Sequence, residues 1–200
     1  MTKRGSVTRL KGWRERGAGI DAPGSRDEAP LMAAIRAGSR PGVDLLLPRK
    51  PRLDATNRDG ETALMIASAR GDADSVSRLL ASNANVAPAD KDGKTALVHA
   101  ARGGSEVCVR LLLAANADSR AVDQRGRTAL MEVRGPEAAS QVALLLKHGV
   151  PIDARDRFGC TALMIAARRG EIALAAALLD RHANPALKDS LGRTALVRAQ

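Results

Sequence analysis

The stretch that decides the fold is GETALMIASARG at residues 60–71, which returns three periods of 33 residues later as GCTALMIAARRG at residues 159–170. The turn glycine of this stretch recurs at every period, at Gly60, Gly93, Gly126, Gly159 and Gly192. A fixed period of this length is typical of proteins built by stacking copies of one small supersecondary unit. The chain is therefore predicted to be a repeat array.

Each 33-residue unit contains start and stop signals for two short helices. A threonine two residues after each turn glycine, such as Thr62, is a good N-cap for the Ala-rich segment that follows it. Gly71, Gly104 and Gly170 can supply the left-handed backbone that ends this first helix. Segments such as 106–114, with apolar residues three to five apart, predict a second amphipathic helix. The Asp-x-x-Gly segment predicts a turn, so each unit is expected to be turn, helix, helix.

These residues resemble the ankyrin repeat, whose pattern is D-x-x-G-x-T-P-L-H-x-A-A followed by paired leucines. The resemblance covers nearly the whole chain and implies an all-α ankyrin-repeat solenoid, made of stacked helix-turn-helix units with projecting β-turn fingers. Alanine replaces the family's proline in every unit except the first, where Pro30 keeps it, and methionine or valine replaces the histidine. Loss of that histidine implies slightly weaker coupling between neighbouring units.

The period also predicts the domain boundaries. Residues 27–200 are expected to form the array, with repeats at 27–59, 60–92, 93–125, 126–158 and 159–191 and a partial repeat at 192–200. Residues 1–26 are either a basic N-terminal arm or the second half of a preceding repeat, and the register of Ile20-Asp21-Ala22 with Leu53-Asp54-Ala55 favours the repeat. Because both ends fall inside repeats, the chain is also interpreted as a possible fragment of a longer array.

The repeat at 126–158 is irregular. Val133-Arg134 stands where other units have two small residues, and Gly135-Pro136 follows it. Gly135 can stop the first helix early and Pro136 can start the second. We therefore predict a shortened first helix with Arg134 turned toward solvent. Drift in a tolerant repeat is favoured over a hinge as the explanation.

Composition narrows the classes of function. Lys and Arg number 32 against 22 Asp and Glu, a net charge of +10, which points to an acidic partner. One Trp, one Phe and no Tyr argue against nucleic-acid modules that stack bases on aromatic rings. No apolar run approaches the ~18 residues that a membrane span needs.

The sequence offers little for catalysis. None of the common catalytic or phosphate-loop motifs occurs, and the cysteines and histidines lack metal-ligand spacing. We therefore predict no enzyme activity, no cofactor and no metal. Cys108 falls at an apolar position and is expected to be buried, whereas Cys160 follows a turn glycine and is expected to be exposed. Two cysteines are too few for a disulfide framework, which favours a reducing, cytoplasmic setting.

The resemblance implies that partners bind where the turns and the exposed ends of the first helices meet. Carried onto this sequence, the expected partner-binding residues are Arg58, Glu61, Arg70, Lys91, Lys94, Arg102, Arg125, Arg127, Arg157, Phe158, Arg168, Arg169, Leu191 and Arg193. Eleven of these fourteen are Lys or Arg, and Phe158 and Leu191 are candidate apolar anchors.

The predicted function is a monomeric protein-protein interaction module that binds an acidic protein or peptide on a basic concave face. Two alternatives stay open. The chain could be the regulatory array of a larger enzyme or channel, or the same basic face could bind nucleic acid weakly through its charge.

Overall fold

A computed structural model of the protein describes residues 19–24 and 27–199. Most of the segment interpreted as an arm or half-repeat, residues 1–26, lies outside the described residues. Within its described portion, Asp21 Oδ1 accepts a hydrogen bond from Arg52 N at 2.9 Å. Asp54 and Asp153 make the same contact to a backbone N–H 31 residues further on. Asp21 therefore does for the repeat at 27–59 what Asp54 and Asp153 do for the repeats that follow them.

The described residues form pairs of short helices and no β-strand, which confirms the all-α prediction. The first helices of successive repeats are α1 (Pro30–Arg36), α3 (Ala63–Ala69), α5 (Ala96–Gly103), α7 (Ala129–Glu132), α9 (Ala162–Arg169) and α11 (Ala195–Arg198). The second helices are α2 (Arg40–Leu46), α4 (Ala73–Ala81), α6 (Glu106–Ala114), α8 (Ala138–Lys147) and α10 (Ile172–Leu179), with a 3-10 turn at Leu47–Arg49 after α2. First helices pack on first helices and second helices on second helices, so the array has two helical layers.

The helix boundaries follow the predicted capping residues. Thr62 and Thr161 each accept a hydrogen bond from the backbone N–H three residues later, at 3.3 Å. Gly71, Gly104 and Gly170 follow the first helices with φ of +66°, +79° and +68°, the left-handed conformation that glycine adopts without strain. The first helices α3, α5 and α9 are therefore confined to about two turns between a threonine and a glycine.

The turns form a third, backbone-bonded layer. In each turn, one side-chain oxygen of the first residue accepts two backbone N–H groups; Asn57 Oδ1, for example, binds the N–H of Asp59 and of Glu61, both at 2.9 Å. Neighbouring turns are joined to one another by backbone bonds, as from Lys91 N to Asp59 O at 2.9 Å and from Arg157 N to Arg125 O at 2.9 Å. The turns therefore stack as a ladder of projecting fingers that couples successive repeats.

The core between the helical layers is built from Ala, Leu, Val, Ile and Met. Leu79, Leu112 and Leu145, which occupy the same position in three successive repeats, are fully buried. Cys108 is buried as predicted, but the prediction that Cys160 is exposed is wrong, because Cys160 is only 4% exposed. Its backbone N–H donates to Asp156 Oδ1 at 2.8 Å, which closes the turn with the thiol on the inside.

The irregular repeat has the predicted short first helix. Helix α7 has four residues, whereas α5 and α9 have eight. The chain leaves the helix at Val133, whose φ and ψ of −51° and 135° are extended. The prediction that Arg134 turns to solvent is wrong: Arg134 is half-buried and its Nε is fully buried.

Among the residues that the structure describes, no helix is both long and apolar enough to cross a membrane.

Candidate functional site

The predicted partner-binding residues lie on one surface, here named the finger face. It consists of the turn fingers at 57–61, 90–94, 123–127, 156–160 and 189–193 together with the C-terminal ends of the first helices, which carry Arg70, Arg102, Arg168 and Arg169. The structure divides these residues into cations that pair with acids of the chain itself and cations that do not. That division determines which of them are available to a partner.

In the N-terminal region of the finger face, the charges neutralise one another. Arg36 Nε lies 2.6 Å from Glu28 Oε1, and Arg36 Nη2 lies 2.9 Å from Glu61 Oε2. Arg58 pairs with Asp27 at 2.8 Å, and Arg70 Nη1 donates to the Arg36 carbonyl oxygen at 2.8 Å. Of the residues that the sequence predicts to bind a partner, Arg58 and Glu61 take part in intramolecular ion pairs, whereas Arg70 is exposed and bonds a backbone carbonyl oxygen but no acid of the described residues.

The pKa of Glu61 records this neutralisation. Burial raises its pKa, but hydrogen bonds from Asn57 and Arg36, together with the charge of Arg36, outweigh that effect. The net pKa lies below the ordinary value for glutamate. Glu61 is therefore held as a carboxylate by its own neighbours.

In the centre of the face, a buried carboxylate lies between two arginines. Glu132 is 2% exposed, and its Oε1 lies 2.5 Å from Arg127 Nη1 while its Oε2 lies 3.7 Å from Arg169 Nη2. Arg127 also binds Asp123 at 2.9 Å, and Lys94 binds Asp92 at 2.7 Å. Burial lowers the pKa of Arg169, an effect that the charge of Glu132 opposes.

Sequence reasoning missed Glu132. Its signal was present, because Glu132 occupies the repeat position that holds Ile66, His99 and Ile165 in other units. A carboxylate at a position that is otherwise buried needs cationic partners, since an unpaired buried charge is costly. Arg127 and Arg169 provide these cationic partners for Glu132.

At the C-terminal end of the finger face, the Asp189 carboxylate accepts hydrogen bonds from backbone N–H groups and pairs with arginines. Its Oδ1 accepts the N–H groups of Leu191 and Arg193, both at 2.9 Å, and its Oδ2 lies 2.8 Å from Arg198 Nε. Burial raises the pKa of Asp189, but these backbone bonds and the Arg193 guanidinium outweigh that effect and lower it to about 2. Arg193 is thus also engaged within the chain.

The remaining predicted cations are exposed, and within residues 19–24 and 27–199 their side chains have no acidic partner. They are Arg70, Lys91, Arg102, Arg125, Arg157 and Arg168. Five of these six, all except Arg70, belong to the central and C-terminal repeats. The positive charge available to a partner is therefore concentrated in those repeats.

Two clefts open on the central and C-terminal repeats. The first, here named the charged cleft, has a volume of about 350 Å³ and is lined by Asp92, Lys94, Arg102, Asp123, Gln124, Arg125, Arg127, Glu132, Arg134 and Arg169. Nine of these ten residues are charged and none is apolar. The charged cleft therefore suits an ionic group.

The second, here named the mixed cleft, has a volume of about 400 Å³ and is lined by Arg125, Arg127, Asp156, Phe158, Cys160, Ile165, Arg168, Asp189, Ser190, Leu191, Arg193 and Arg198. Phe158 and Leu191 are 61% and 73% exposed, and each occupies the tip of a finger. Burial raises the pKa of the Cys160 thiol, which keeps it protonated and unreactive near neutral pH. The mixed cleft combines apolar surface with arginines.

The two clefts bring together nine of the fourteen predicted residues and share Arg125 and Arg127. Arg58, Glu61, Arg70, Lys91 and Arg157 line neither cleft. Over the described ranges, no group of three His, Cys, Asp or Glu side chains is placed to hold a metal ion.

A family model described as ankyrin repeats (3 copies) matches residues 3–90, 66–133 and 134–200. These segments together span almost the whole chain. No curated protein matches the chain.

Proposed function

Because the chain belongs to the ankyrin-repeat family, whose repeats generally mediate protein-protein interaction, we propose that it is a non-catalytic module that binds an acidic protein or peptide on its finger face. The observation that carries this proposal is a group of five exposed cations in the central and C-terminal repeats that have no acidic partner among the described residues, Lys91, Arg102, Arg125, Arg157 and Arg168. Their charge favours encounter with an acidic surface, and an arginine fork binds a carboxylate through two parallel hydrogen bonds.

The mixed cleft adds an apolar element to this recognition. Phe158 and Leu191 stand on neighbouring fingers that are joined by the Ser190 N to Phe158 O bond of 3.0 Å. Arg168 and Arg125 line the same cleft. Aromatic and arginine side chains are the residue types that carry most binding energy at protein interfaces. A partner segment with an apolar residue among acidic ones fits this arrangement.

We place the module in a reducing compartment such as the cytoplasm and take it to act as a monomer. Cys108 and Cys160 are both free and buried, so neither is arranged for a disulfide. Successive helices of each layer contact one another along the array, although Ile172 of α10 and Leu196 of α11 stay exposed in the last repeats.

The test is to reverse three of the unpaired cations and compare bound proteins. The Arg125→Glu, Arg157→Glu, Arg168→Glu variant and the wild type are used to capture proteins from cell extract, and the captured proteins are identified by mass spectrometry. A partner captured by the wild type is then purified and its Kd measured by calorimetry. We expect the reversals to weaken binding by at least roughly tenfold, about 1.4 kcal/mol.

The matched control reverses the same amount of charge elsewhere. Arg52→Glu, Arg110→Glu and Lys147→Glu change exposed cations away from the finger face. This control should bind as the wild type does. An unchanged set of partners in the finger-face variant, with helicity intact by circular dichroism, would remove the proposal.

Nucleic acid is the competing partner, and a titration separates it. The wild-type chain is titrated with duplex and single-stranded DNA at two salt concentrations. Weak binding that falls steeply with salt and ignores sequence would indicate charge attraction alone. Tight binding to DNA at physiological salt, with no protein partner captured, would favour the nucleic-acid alternative.

A further inference from the structure

The charged cleft exists because helix α7 stops after four residues. In the repeats on either side, α5 and α9 continue for two full turns and carry Arg102 and Arg169 near their ends. In the irregular repeat the chain crosses this space in an extended conformation, and the Arg134 N–H donates to the Ala101 carbonyl oxygen of α5 at 3.2 Å. The missing turn leaves an opening between its neighbours.

Because the helix is short, some backbone carbonyl oxygens of this repeat lack a helical N–H partner and accept hydrogen bonds from side chains instead. In a continued helix, the Met131 carbonyl would accept the N–H of the residue four positions later. Here Arg169 Nη1 donates to Met131 O at 3.2 Å, and Gln141 Nε2 donates to Arg134 O at 3.1 Å. The floor of the charged cleft is therefore a bonded arrangement of specific side chains.

The charges in the charged cleft do not cancel. Its three acids are paired: Asp92 with Lys94, Asp123 with Arg127, and Glu132 with Arg127 and Arg169. Within the described residues, Arg102, Arg125 and Arg134 have no acidic partner. The Nε of Arg134 is buried and makes no hydrogen bond, which is costly for a charged donor. Because this atom is closed off from solvent, a ligand supplies its acceptor only after a local shift of the side chain.

We propose that the charged cleft binds the phosphate of a phosphorylated serine or threonine in the partner, an inference that rests on the proposed function. A phosphomonoester carries close to two negative charges and three acceptor oxygens, whereas a carboxylate carries one charge and two oxygens. Three arginines without acidic partners provide enough positive charge to neutralise the phosphate and enough N–H donors for its three oxygens. The absence of apolar lining residues excludes the cleft as a pocket for a hydrophobic anchor.

The mixed cleft lies next to the charged cleft and would contact the residues that flank the phosphorylated residue. It shares Arg125 and Arg127 with the charged cleft and contributes Phe158 and Leu191 beside them. A bound segment would therefore place its phosphorylated residue in the charged cleft and an apolar residue in the mixed cleft. This arrangement makes the site specific for a phosphorylated peptide rather than for phosphate alone.

The experiment compares three peptide libraries that are identical except at one fixed central residue: phosphoserine, serine or glutamate. The full chain is immobilised and the retained peptide is quantified. We expect phosphoserine peptides to be retained at least roughly tenfold better than both others, and the retained pool to be enriched in apolar residues near the phosphoserine.

Substitutions in the chain locate the site. Arg134→Gln should reduce the phosphoserine preference by roughly tenfold. Arg102→Gln, an exposed residue outside the floor of the cleft, should reduce it in the same direction and guards against a folding defect in the first variant. Arg110→Gln, on the second-helix layer, is the matched control and should leave the preference unchanged. Thermal melts and ¹H–¹⁵N spectra verify that each variant is folded.

Several outcomes overturn the inference. Equal retention of phosphoserine and glutamate peptides, or no retention of any library, removes the phosphate preference. Competition by single-stranded DNA at the concentration at which phosphopeptide competes assigns the cleft to nucleic acid instead. Binding of inorganic phosphate without phosphopeptide binding limits the site to small anions. Arg157 lies outside the charged cleft, so loss of partner binding in Arg157→Glu with no phosphoserine preference would retain the proposed function while removing this inference.

Discussion

The N-terminal region of the finger face and the charged cleft have the same backbone conformation in their turns but opposite arrangements of charged side chains. In the N-terminal region a single arginine, Arg36, lies between two acids, Glu28 and Glu61. In the charged cleft a single acid, Glu132, lies between two arginines, Arg127 and Arg169. The first arrangement leaves one negative charge in excess, whereas the second leaves positive charge in excess.

The difference arises largely at one position of the repeat. The residue after the turn glycine is Glu61 in the second repeat, Lys94 in the third, Arg127 in the fourth and Arg193 in the last. The turn conformation is the same in each case, because the Asx bonds use backbone N–H groups and place no demand on this side chain. Sign of charge can therefore vary from repeat to repeat without cost to the fold.

Replacing the acid in each arrangement, Glu132 or Glu61, tests this contrast. We expect the largest loss of stability from the change at Glu132. Glu132→Ala leaves two mostly buried arginines without that partner and should lower the free energy of unfolding by about 3 kcal/mol. Glu61→Ala removes a partner from Arg36, which is more solvent-exposed, and should cost about 1 kcal/mol or less. Urea unfolding followed by circular dichroism measures both. Equal losses would contradict the contrast.

The boundary between the two regions depends on Gly103. A Cβ there would lie 2.7 Å from the Ser68 carbonyl oxygen and 2.8 Å from that of Ala69, so α5 and α3 could not approach as they do. Gly103→Ala should destabilise the chain by about 2 kcal/mol through overpacking, although alanine has the better helix propensity by about 1 kcal/mol. The thermal midpoint and urea unfolding report the loss.

Gly170 is the comparison for that variant. A Cβ at Gly170 meets nothing within 4 Å, so Gly170→Ala carries only the cost of a left-handed backbone, about 1 kcal/mol. A Gly103→Ala protein that is as stable as the wild type would show that the two helices can separate at no cost.

Lowering the pH should weaken the last finger more than the first. We expect this to be the smallest of the three effects. The first finger begins with neutral Asn57, whereas the last begins with Asp189, whose pKa is about 2. Because this folded-state pKa lies below the ordinary value, the stabilisation is complete above about pH 4 and is lost as the pH falls toward 2. The protection factors of the amides at 189–193 should fall over that range, and they should fall less at 57–61, where the titrating Glu61 side chain is not the acceptor of the turn N–H bonds.

Asp189→Asn provides the control for the acid experiment. Asparagine keeps an oxygen for the N–H groups of Leu191 and Arg193, as Asn57 does for its own finger, but removes the ion pairs with Arg193 and Arg198. In this variant the pH dependence of the last finger should disappear. A persisting acid transition there would assign it to another group.

Local chemistry explains why much of the fold was predictable. The left-handed glycines, the Asx turns and the threonine caps act within four residues of sequence, so the 33-residue period predicts them, although the caps form at Thr62, Thr161 and Thr194 and not at Thr95 or Thr128. The short α7 was predictable for the same reason, since Gly135-Pro136 stands where the other units continue their helix. Cys160 was mispredicted because turn residues are usually exposed, and only the closed turn shows that its side chain points inward.

The repeat, its two helices and the surface on which the cations lie were predictable from the sequence, because each of these depends on residues near one another in the chain. Which cations remain available follows from contacts between repeats. Glu132 reaches Arg169 from the next repeat, and Arg36 reaches Glu61 from the next repeat in the same way. Such pairs depend on how neighbouring units stack, and the distances between side chains in adjacent repeats follow from packing rather than from a position within the period.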